Sequence, residues 1–382
     1  MHRKSVYFLV LAVAALLVLG VVMLFSTSAF AQDAHGNPMF FIKRQAMWLG
    51  VGVIVCIAAA LIDYHFWQKT WWIWFVLSAV LLLLCFVPPI GQRINGSARW
   101  IKLGFTNFQP SELAKLAAIA GLAWWFARDD LAAREFRRGF LYPIAGVSVL
   151  MVLIVFEIDL GATALIGATT YMIMFVAGTR LRYLVPLVVL GLVALGLAIV
   201  YMPERTGRFL AFLYPETYPK DAYQARQGLI ALGSGGVEGL GLGNGRQKMA
   251  YLPFAHTDFI FPMIGEELGL RATLAVVFTY IVIVLCGGII SVHARDRFGL
   301  LLGFGFTTLI ALQAAVNIGV TTELLPNKGM PLPLISYGGS NLVLCLLGIG
   351  ILISIYRQGI SDRSTAATVR LAARTRPRVV RI

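Results

Sequence analysis

The sequence predicts an all-α polytopic membrane protein, and three observations support that fold class. Hydrophobic residues make up 59% of the chain and charged residues only 13%, which is too apolar for a soluble domain. Apolar runs long enough to cross a hydrocarbon core of roughly 30 Å as helices recur along most of the chain. These runs lack the alternation of apolar and polar residues that is typical of the strands of a membrane β-barrel.

Ten apolar runs predict ten transmembrane helices. The first run, Val6 to Phe25, follows a basic start and precedes Ala29 and Ala31, which are spaced as at a signal-peptide cleavage site. It is longer than the apolar core of a typical signal peptide, so we interpret it as an uncleaved span. The other predicted spans cover residues 46–62, 71–87, 113–126, 140–156, 160–177, 184–201, 272–290, 300–320 and 342–356.

The distribution of Lys and Arg predicts that both termini lie in the cytoplasm, because this orientation places more of them on the cytoplasmic side. A long extracytoplasmic loop, residues 202–258, then connects helices 7 and 8. Residues 1–357 form a single transmembrane catalytic domain, and residues 358–382 form a basic cytoplasmic tail that we expect to be disordered. The formal charge of +14 is spread over loops and tail, which indicates a membrane surface and not a nucleic acid.

The stretch from Gly233 to Leu268 is the strongest candidate for chemistry. Its glycines allow close backbone approach, but a nucleotide-binding loop would end in Gly-Lys-Ser/Thr and follow a strand, and this one does neither. A tight loop packed among helices is the structural alternative. Several cations lie on the predicted outward side, against the orientation rule, so we expect some of them to bind an anion.

Asp258 lies where this stretch meets an apolar run. Partial desolvation there would raise its pKa and strengthen it as a base. The alternative is that Thr257 or Asp258 caps the following helix. Glu266 and Glu267 lie deeper and need partners, for which Lys115 and Arg271 are candidates.

Four further features belong to this picture. Glu112 and Lys115 fit an ion pair in the first turn of a helix, and Asp159 fits a helix cap. Trp100 is either an interfacial anchor or a platform for a sugar ring. The segment Leu325 to Ser340 is rich in Pro and Gly at membrane depth, where irregular backbone is tolerated only beside a protein cavity, so it should form a wall of the site.

Several long motifs in this chain resemble those of the SEDS family (shape, elongation, division and sporulation), membrane glycosyltransferases that polymerise peptidoglycan. The motifs cover nearly the whole chain: GSARWIKLG, FQPSELAKL, DLGATAL, GNGRQKMAYLP and PLPLISYGGS. GNGRQKMAYLP and LPNKG are more similar to the cell-division branch than to the elongation branch. At Ala250 and Phe254, however, this chain lacks acidic residues that division-branch proteins often carry.

The resemblance implies that the substrates are lipid II and the growing glycan strand. The 4-hydroxyl of lipid II would attack the anomeric carbon of the strand and release undecaprenyl pyrophosphate, and the family's essential aspartate maps onto Asp258, the expected general base. One carboxylate suffices, because a pyrophosphate leaves without a second carboxylic acid to protonate it. The expected substrate-binding residues are Arg205, Arg208, Arg246, Lys248, Lys328, Ser336, Trp100 and His256. The expected supporting residues are Glu112, Lys115, Asp159, Glu266 and Glu267.

The resemblance also implies a class B penicillin-binding protein (a transpeptidase) and division proteins as partners. We expect a bacterial inner-membrane protein enriched at the septum. No metal-binding spacing is visible, although a divalent cation at the pyrophosphate is possible in chemical terms. The alternatives are an elongation polymerase, a lipid II flippase and a non-catalytic scaffold, which would leave Asp258 unexplained. A flippase needs a headgroup path through the bilayer, whereas the charged residues concentrate toward the predicted outer half.

Overall fold

A computed structural model describes residues 2–28, 39–88, 90–94, 97–102, 104, 106–129, 131–201, 203–249 and 251–374. It leaves undescribed the side chains of residues 2–3, 94, 195, 198–199, 203–205 and 360–374. The alanine pair considered as a signal-cleavage pattern lies outside the described residues. The described part is mostly helical. Its α-helices are α1 (His2–Ser28), α2 (Phe40–Leu61), α3 (His65–Leu84), α4 (Pro110–Ala127), α5 (Tyr142–Phe156), α6 (Leu160–Val176), α7 (Leu181–Tyr201), α8 (Pro203–Leu213), α9 (Pro219–Gly235), α10 (Ile260–Val292), α11 (Arg297–Thr321) and α12 (Gly339–Arg374).

Within the described residues, seven helical segments are long and apolar enough to cross a membrane. They belong to α1, α2, α3, α5 with the turn before it, α10, α11 and α12. The predicted spans at residues 113–126, 160–177 and 184–201 form α4, α6 and α7. Helix α6 is apolar but only 17 residues long, and in α7 the apolar stretch with described side chains covers Leu181–Ala194. The protein is therefore a multi-pass membrane protein, and the count of ten spans stays a prediction.

The centre of the bundle is formed by helices that pack through small residues. A Cβ atom on Gly305 of α11 would lie 2.6 Å from Ile119 of α4, and one on Gly348 of α12 would lie 2.6 Å from Phe306. Glycine at these positions lets the helices approach closely. In contrast, α7 exposes a run of aliphatic side chains, as expected for a helix that faces lipid.

A small β-sheet corrects the all-α prediction. Strands β1 (Gly91–Ile94), β2 (Ser97–Lys102) and β3 (Asn107–Phe108) form an antiparallel sheet in the order β1-β2-β3. Strand β2 (SARWIK) mixes the buried Ser97, Ala98 and Ile101 with the less buried Arg99, Trp100 and Lys102, so it contains no long apolar run. A search for apolar spans therefore does not detect it.

The loop predicted at residues 202–258 contains two helices, α8 and α9, before its irregular end. Helix α10 starts at Ile260, well before the predicted span at 272–290, and Gly269 breaks it with φ 76°. We call residues 260–268 the half-helix. At the other end of the chain, α12 continues to Arg374. Disorder of the tail from residue 358 stays a prediction. Alanine and arginine, which favour helices, recur in that segment.

Candidate active site

Asp258 lies in the turn that leads into the half-helix, and its side chain is free of a capping role. The residue at the cap position is Phe259, without a side-chain cap hydrogen bond, so the capping alternative for Thr257 and Asp258 is wrong. Asn317 Nδ2 donates to the Asp258 carbonyl oxygen at 2.8 Å and to the Met330 carbonyl oxygen at 2.6 Å. The main chain is thus held in place, while no described residue donates a hydrogen bond to the Asp258 carboxylate.

The surroundings of Asp258 shift the protonation equilibrium of its carboxyl group. Burial raises the pKa of its carboxyl to about 6, while the positive charges of Arg99 and Arg208 oppose that rise. Such a group is mostly ionised at neutral pH yet accepts a proton more readily than an ordinary aspartate. Asp258 therefore has the state that a general base needs.

The segment predicted as a wall of the site does lie against Asp258. Residues 325–338 contain no helix or strand, and a Cβ atom on Gly329 would lie 2.5 Å from Asp258 Oδ2. On its other side the segment meets the start of α6, where a Cβ atom on Gly161 would lie 3.0 Å from Lys328 Cε and 3.2 Å from Asp159 Oδ1. Lys328 thus lies between the Asp258 turn and the N-terminus of α6.

Asp159 caps α6 as predicted, since Ala162 N donates to its Oδ1 at 3.1 Å. Gln109 Nε2 donates to Asp159 Oδ2 at 3.0 Å, and Arg99 Nη1 lies 4.0 Å from the same oxygen. Arg99 acts on both Asp159 and Asp258 and therefore connects the two. Trp100 follows Arg99 on β2, so its side chain points to the opposite face of the sheet.

Arg99, Gln109 and Asn317 are site residues that the sequence did not single out. A signal existed for Arg99, because it is one of the outward cations that oppose the orientation rule. Gln109 lies within a quoted motif, but the pattern did not separate it from its neighbours. Asn317 lies inside an apolar span, where a buried amide is costly unless it is hydrogen-bonded, and that cost was the available signal.

Ser336 and His256 help to hold the turn that carries Asp258. Ser336 Oγ donates to the Thr257 carbonyl oxygen at 2.6 Å and accepts from Leu332 N at 2.8 Å. The His256 ring is buried against Phe41, with ring centroids 4.4 Å apart. Contact of these two residues with substrate remains a prediction, because the interactions seen are within the protein.

Lys248 and Glu267 form a buried ion pair that the sequence did not predict. Lys248 Nζ lies 2.7 Å from Glu267 Oε1, and both side chains are almost completely buried. Ser26 Oγ and Gly243 N also donate to the Glu267 carboxylate, at 2.7 Å and 3.0 Å. We call these four residues the lock. In this structure the Lys248 ammonium is neutralised inside the lock and is not presented to a substrate.

The two partners considered for the deep glutamates are wrong. Lys115 pairs with Glu112 at 2.7 Å, as the helix-start interpretation predicts, and Arg271 pairs with the exposed Glu238 at 2.8 Å. The partner of Glu267 is Lys248, which lies in the loop before the half-helix.

The glycine-rich loop donates hydrogen bonds to the main-chain carbonyl oxygens at the end of the half-helix. Leu240 N and Gly241 N donate to the carbonyl oxygens of Glu266 and Glu267, each at 2.9 Å. Gly239 has φ 82°, and a Cβ atom there would collide with the Glu267 carbonyl oxygen. The structural alternative for the loop is therefore correct: its glycines allow close approach to the half-helix.

Glu266 binds the chain that follows this loop. Its Oε1 accepts from the main-chain nitrogens of Arg246 and Gln247 at 2.8 Å and 3.1 Å. The side chain of Arg246 is exposed. Glu266 thus positions the Arg246 segment through main-chain contacts and leaves the guanidinium open to solvent.

The Glu112–Lys115 pair is part of a buried polar network that reaches the wall segment. Asn341 Nδ2 donates to Glu112 Oε2 at 3.1 Å and to Gln313 Oε1 at 3.2 Å. Gln313 Nε2 in turn donates to the Pro331 carbonyl oxygen at 3.0 Å. The pair therefore supports the site by linking α4, α11 and α12 to the wall.

Arg205 and Arg208 lie on α8. The side chain of Arg205 is outside the described part, whereas Arg208 is exposed and lines a small pocket with Asp221, Glu323 and Asn327. The described residues contain no group of three or more His, Cys, Asp or Glu side chains arranged to hold a metal ion.

Known proteins match this chain over most of its length. A family model described as a cell cycle protein, covering FtsW, RodA and SpoVE, matches residues 7–360. A probable peptidoglycan glycosyltransferase FtsW of Geobacter metallireducens is 39% identical over 356 residues, which cover 93% of this chain and 95% of that protein. One of Legionella pneumophila is 40% identical over 350 residues, covering 90% of this chain and 89% of that protein.

Solved structures share the fold. A chain from a study of polymerization and crosslinking by a peptidoglycan synthase complex superposes with a TM-score of 0.76 at 26% identity, over 92% of this chain and 98% of that chain. The rod shape determining protein RodA of Thermus thermophilus gives a TM-score of 0.67 at 26% identity, over 91% of this chain and 95% of that chain. The chain belongs to the FtsW/RodA/SpoVE family of cell cycle proteins, which is the SEDS family that its motifs predict.

Proposed function

We propose that this protein is a peptidoglycan glycosyltransferase that polymerises lipid II into glycan strands for septal wall synthesis. The observation that carries the proposal is Asp258, a base with a pKa of about 6 at a turn between Arg99, Arg208 and the wall segment. The names of the curated relatives give the activity and favour the division branch over the elongation branch.

In the proposed reaction, Asp258 takes the proton from the 4-hydroxyl of lipid II as that oxygen attacks the anomeric carbon of the growing strand. The new bond is a β-1,4 glycosidic bond, and the bond from the anomeric carbon to undecaprenyl pyrophosphate breaks with inversion. The pyrophosphate leaves with the electron pair and needs no second carboxylic acid, unlike the sugar leaving group in glycosidases. A positioned base of this kind contributes roughly 10²- to 10⁴-fold to the rate.

Cations around the site would stabilise the departing pyrophosphate. Arg208 and Lys328 are the best placed of the predicted set, because Arg208 acts on Asp258 and Lys328 lies beside the wall that touches it. Arg99 joins them, while Arg205 and Arg246 remain candidates. Lys248 is better explained by the lock. Charge-assisted contacts of this type favour a developing anion more than a neutral ground state.

We place the protein in the bacterial inner membrane with both termini in the cytoplasm, ten spans and residues 1–357 as one catalytic domain. The fit to a chain of a peptidoglycan synthase complex supports a class B penicillin-binding protein as partner. We expect location at the septum and contacts with division proteins, and the FtsW names of the relatives support this expectation.

The test uses the full chain, purified with its transpeptidase partner, and labelled lipid II in membranes. Wild type should produce glycan chains, and Asp258→Ala should produce almost none while folding normally. Equal chain production by both proteins would refute the base assignment. Transbilayer movement of lipid II without polymer would instead identify a flippase.

A further inference from the structure

Glu157 is a buried carboxyl group between α5 and α6 that the proposed reaction leaves without a role. Its side chain is fully buried, and neither oxygen has a hydrogen-bond partner of normal geometry among the described residues. The groups that act on it are the Cys85 thiol at the end of α3, Asp159 in the same turn and Arg99 on β2. A buried carboxylate without a strong donor is unfavourable, so the protonated form is the stable one.

The charge state of Glu157 changes in mildly alkaline solution. Burial raises the pKa of its carboxyl to about 8, the Cys85 thiol lowers it, Asp159 raises it and Arg99 lowers it. At neutral pH the group is therefore mostly uncharged. Above pH 8 it becomes a buried anion within the electrostatic reach of Arg99.

The Arg99 guanidinium interacts with more than one carboxylate. Its guanidinium lies 4.0 Å from Asp159 Oδ2, and its charge also acts on Asp258. Its Nε is buried without a hydrogen-bond partner among the described residues. An unused donor of this kind is available to a new carboxylate, and charge-assisted hydrogen bonds are stronger than neutral ones.

The backbone directly after Glu157 is strained. The next residue, Ile158, has φ 64°, which is unfavourable for a β-branched side chain. Strained conformations of this type persist where surrounding structure holds them and are concentrated at functional sites. The strained turn places Glu157 inward and Asp159 at the cap of α6 within three residues.

We propose that protonated Glu157 is a positioning residue that leaves Arg99 directed at Asp159 and Asp258, and that ionisation of Glu157 draws Arg99 away and stops the reaction. This inference rests on the proposed function, since the reaction that it limits is glycan polymerisation. It adds a regulation by alkaline pH that is separate from the base itself.

The test compares Glu157→Gln with wild type, each purified as the full chain with its transpeptidase partner. Polymerisation of lipid II is measured from pH 7 to pH 9. The wild-type rate should fall about tenfold over this range, following the neutral fraction of a group with a pKa of about 8. Glu157→Gln, which cannot ionise, should keep its rate within about twofold, because it mimics the neutral state. Glu216→Gln, the same change at an exposed position, should fall like wild type.

A second variant and a second measurement keep the test conclusive if Glu157→Gln is poorly tolerated. Glu157→Leu is also uncharged and needs no hydrogen-bond partner, so it should show the same flat alkaline profile if the Gln amide is poorly tolerated. Melting temperature gives a measurement without catalysis. The pKa of the Glu157 carboxyl is higher in the folded than in the unfolded protein, so its contribution to stability is complete below the unfolded-state pKa and is lost as pH rises through about 8. Wild type should therefore lose stability relative to both variants from pH 5 to pH 8.

The outcomes separate this inference from the proposed function. Polymer from wild type with an alkaline fall that is unchanged in Glu157→Gln and Glu157→Leu overturns the inference alone. Parallel melting profiles for wild type and both variants also overturn it, because Glu157 would then not ionise in this range. Absence of polymer from wild type at every pH overturns the proposed function and, with it, the reaction that Glu157 would regulate.

Discussion

The half-helix 260–268 has a carboxylate near each end, and the two have opposite surroundings. Glu267 receives hydrogen bonds from Lys248, Ser26 and Gly243 and is completely buried. Asp258 receives none from a described residue, and positive charges act on it without such a bond. A fully paired carboxylate fixes structure, whereas one left unpaired beside cations remains available to accept a proton.

The comparison predicts that substitutions in the lock lower the stability of the fold. In Glu267→Gln the buried Lys248 ammonium loses its counter-charge, which should cost on the order of 3–5 kcal/mol in free energy of unfolding. The measurement is thermal unfolding in detergent micelles. Lys248→Met combined with Glu267→Leu should recover much of the loss, since no buried charge is left unpaired. A single variant as stable as wild type would contradict the structural role of the lock.

The glycines that surround the half-helix should differ in their tolerance of substitution. Gly239→Ala places a Cβ atom at φ 82° against the Glu267 carbonyl oxygen and should destabilise the protein by about 1–3 kcal/mol or more. Gly233→Ala, in α9 with open space around it, should be neutral or slightly stabilising. Equal melting temperatures for the two variants would mean that the loop does not support the broken helix.

At the other end of the half-helix, Arg99 should tune the base. Its charge lowers the pKa of Asp258, so Arg99→Gln should raise that pKa. In the proposed reaction polymerisation needs ionised Asp258, so the rate falls as pH drops through about 6. Arg99→Gln should lose most of its rate at every pH, as wild type does when ionised Glu157 draws Arg99 away, and the acidic limb of the remaining rate should move to higher pH. Arg93→Gln, an exposed position on the neighbouring strand, is the matched control and should leave the limb in place. Identical acidic limbs for wild type and Arg99→Gln would remove Arg99 from the site.

The smallest effect is expected at the exposed pair of Arg271 and Glu238. Both side chains are 71% exposed, and ion pairs of this kind contribute little because water and salt screen them. Glu238→Gln should change the free energy of unfolding by no more than about 0.5 kcal/mol. A loss as large as that from Glu267→Gln would show that burial is not what separates the two pairs.

Local chemistry was readable from the sequence, and long-range pairing was not. The Glu112–Lys115 pair and the Asp159 cap depend on spacings of three residues, so the helix pattern predicted both. Asp258 was found because it stands at the edge of an apolar run. The lock joins α1, the glycine loop and the half-helix, and its Ser26–Glu267 contact spans 241 positions in sequence, for which no local pattern gives a signal.

The break in α10 also explains what the sequence left open. An unbroken helix would place the deep glutamates within a span, with Arg271 one turn along the same helix and Lys115 on another helix as the candidate partners. Gly269 ends the half-helix instead, and the glycine loop folds back to bind its carbonyl oxygens. In the sequence Gly269 is a single glycine inside an apolar run, which was too weak a signal to predict this arrangement.

The most direct test of the central claim measures glycan polymerisation and thermal unfolding for Asp258→Asn and Glu267→Gln side by side, each with the transpeptidase partner. Asparagine keeps the shape of Asp258 but cannot act as the base. We predict that Asp258→Asn loses roughly 10²- to 10⁴-fold in rate and melts like wild type, while Glu267→Gln melts at a clearly lower temperature. Polymerisation by Asp258→Asn at the wild-type rate would contradict the claim that Asp258 is the catalytic base.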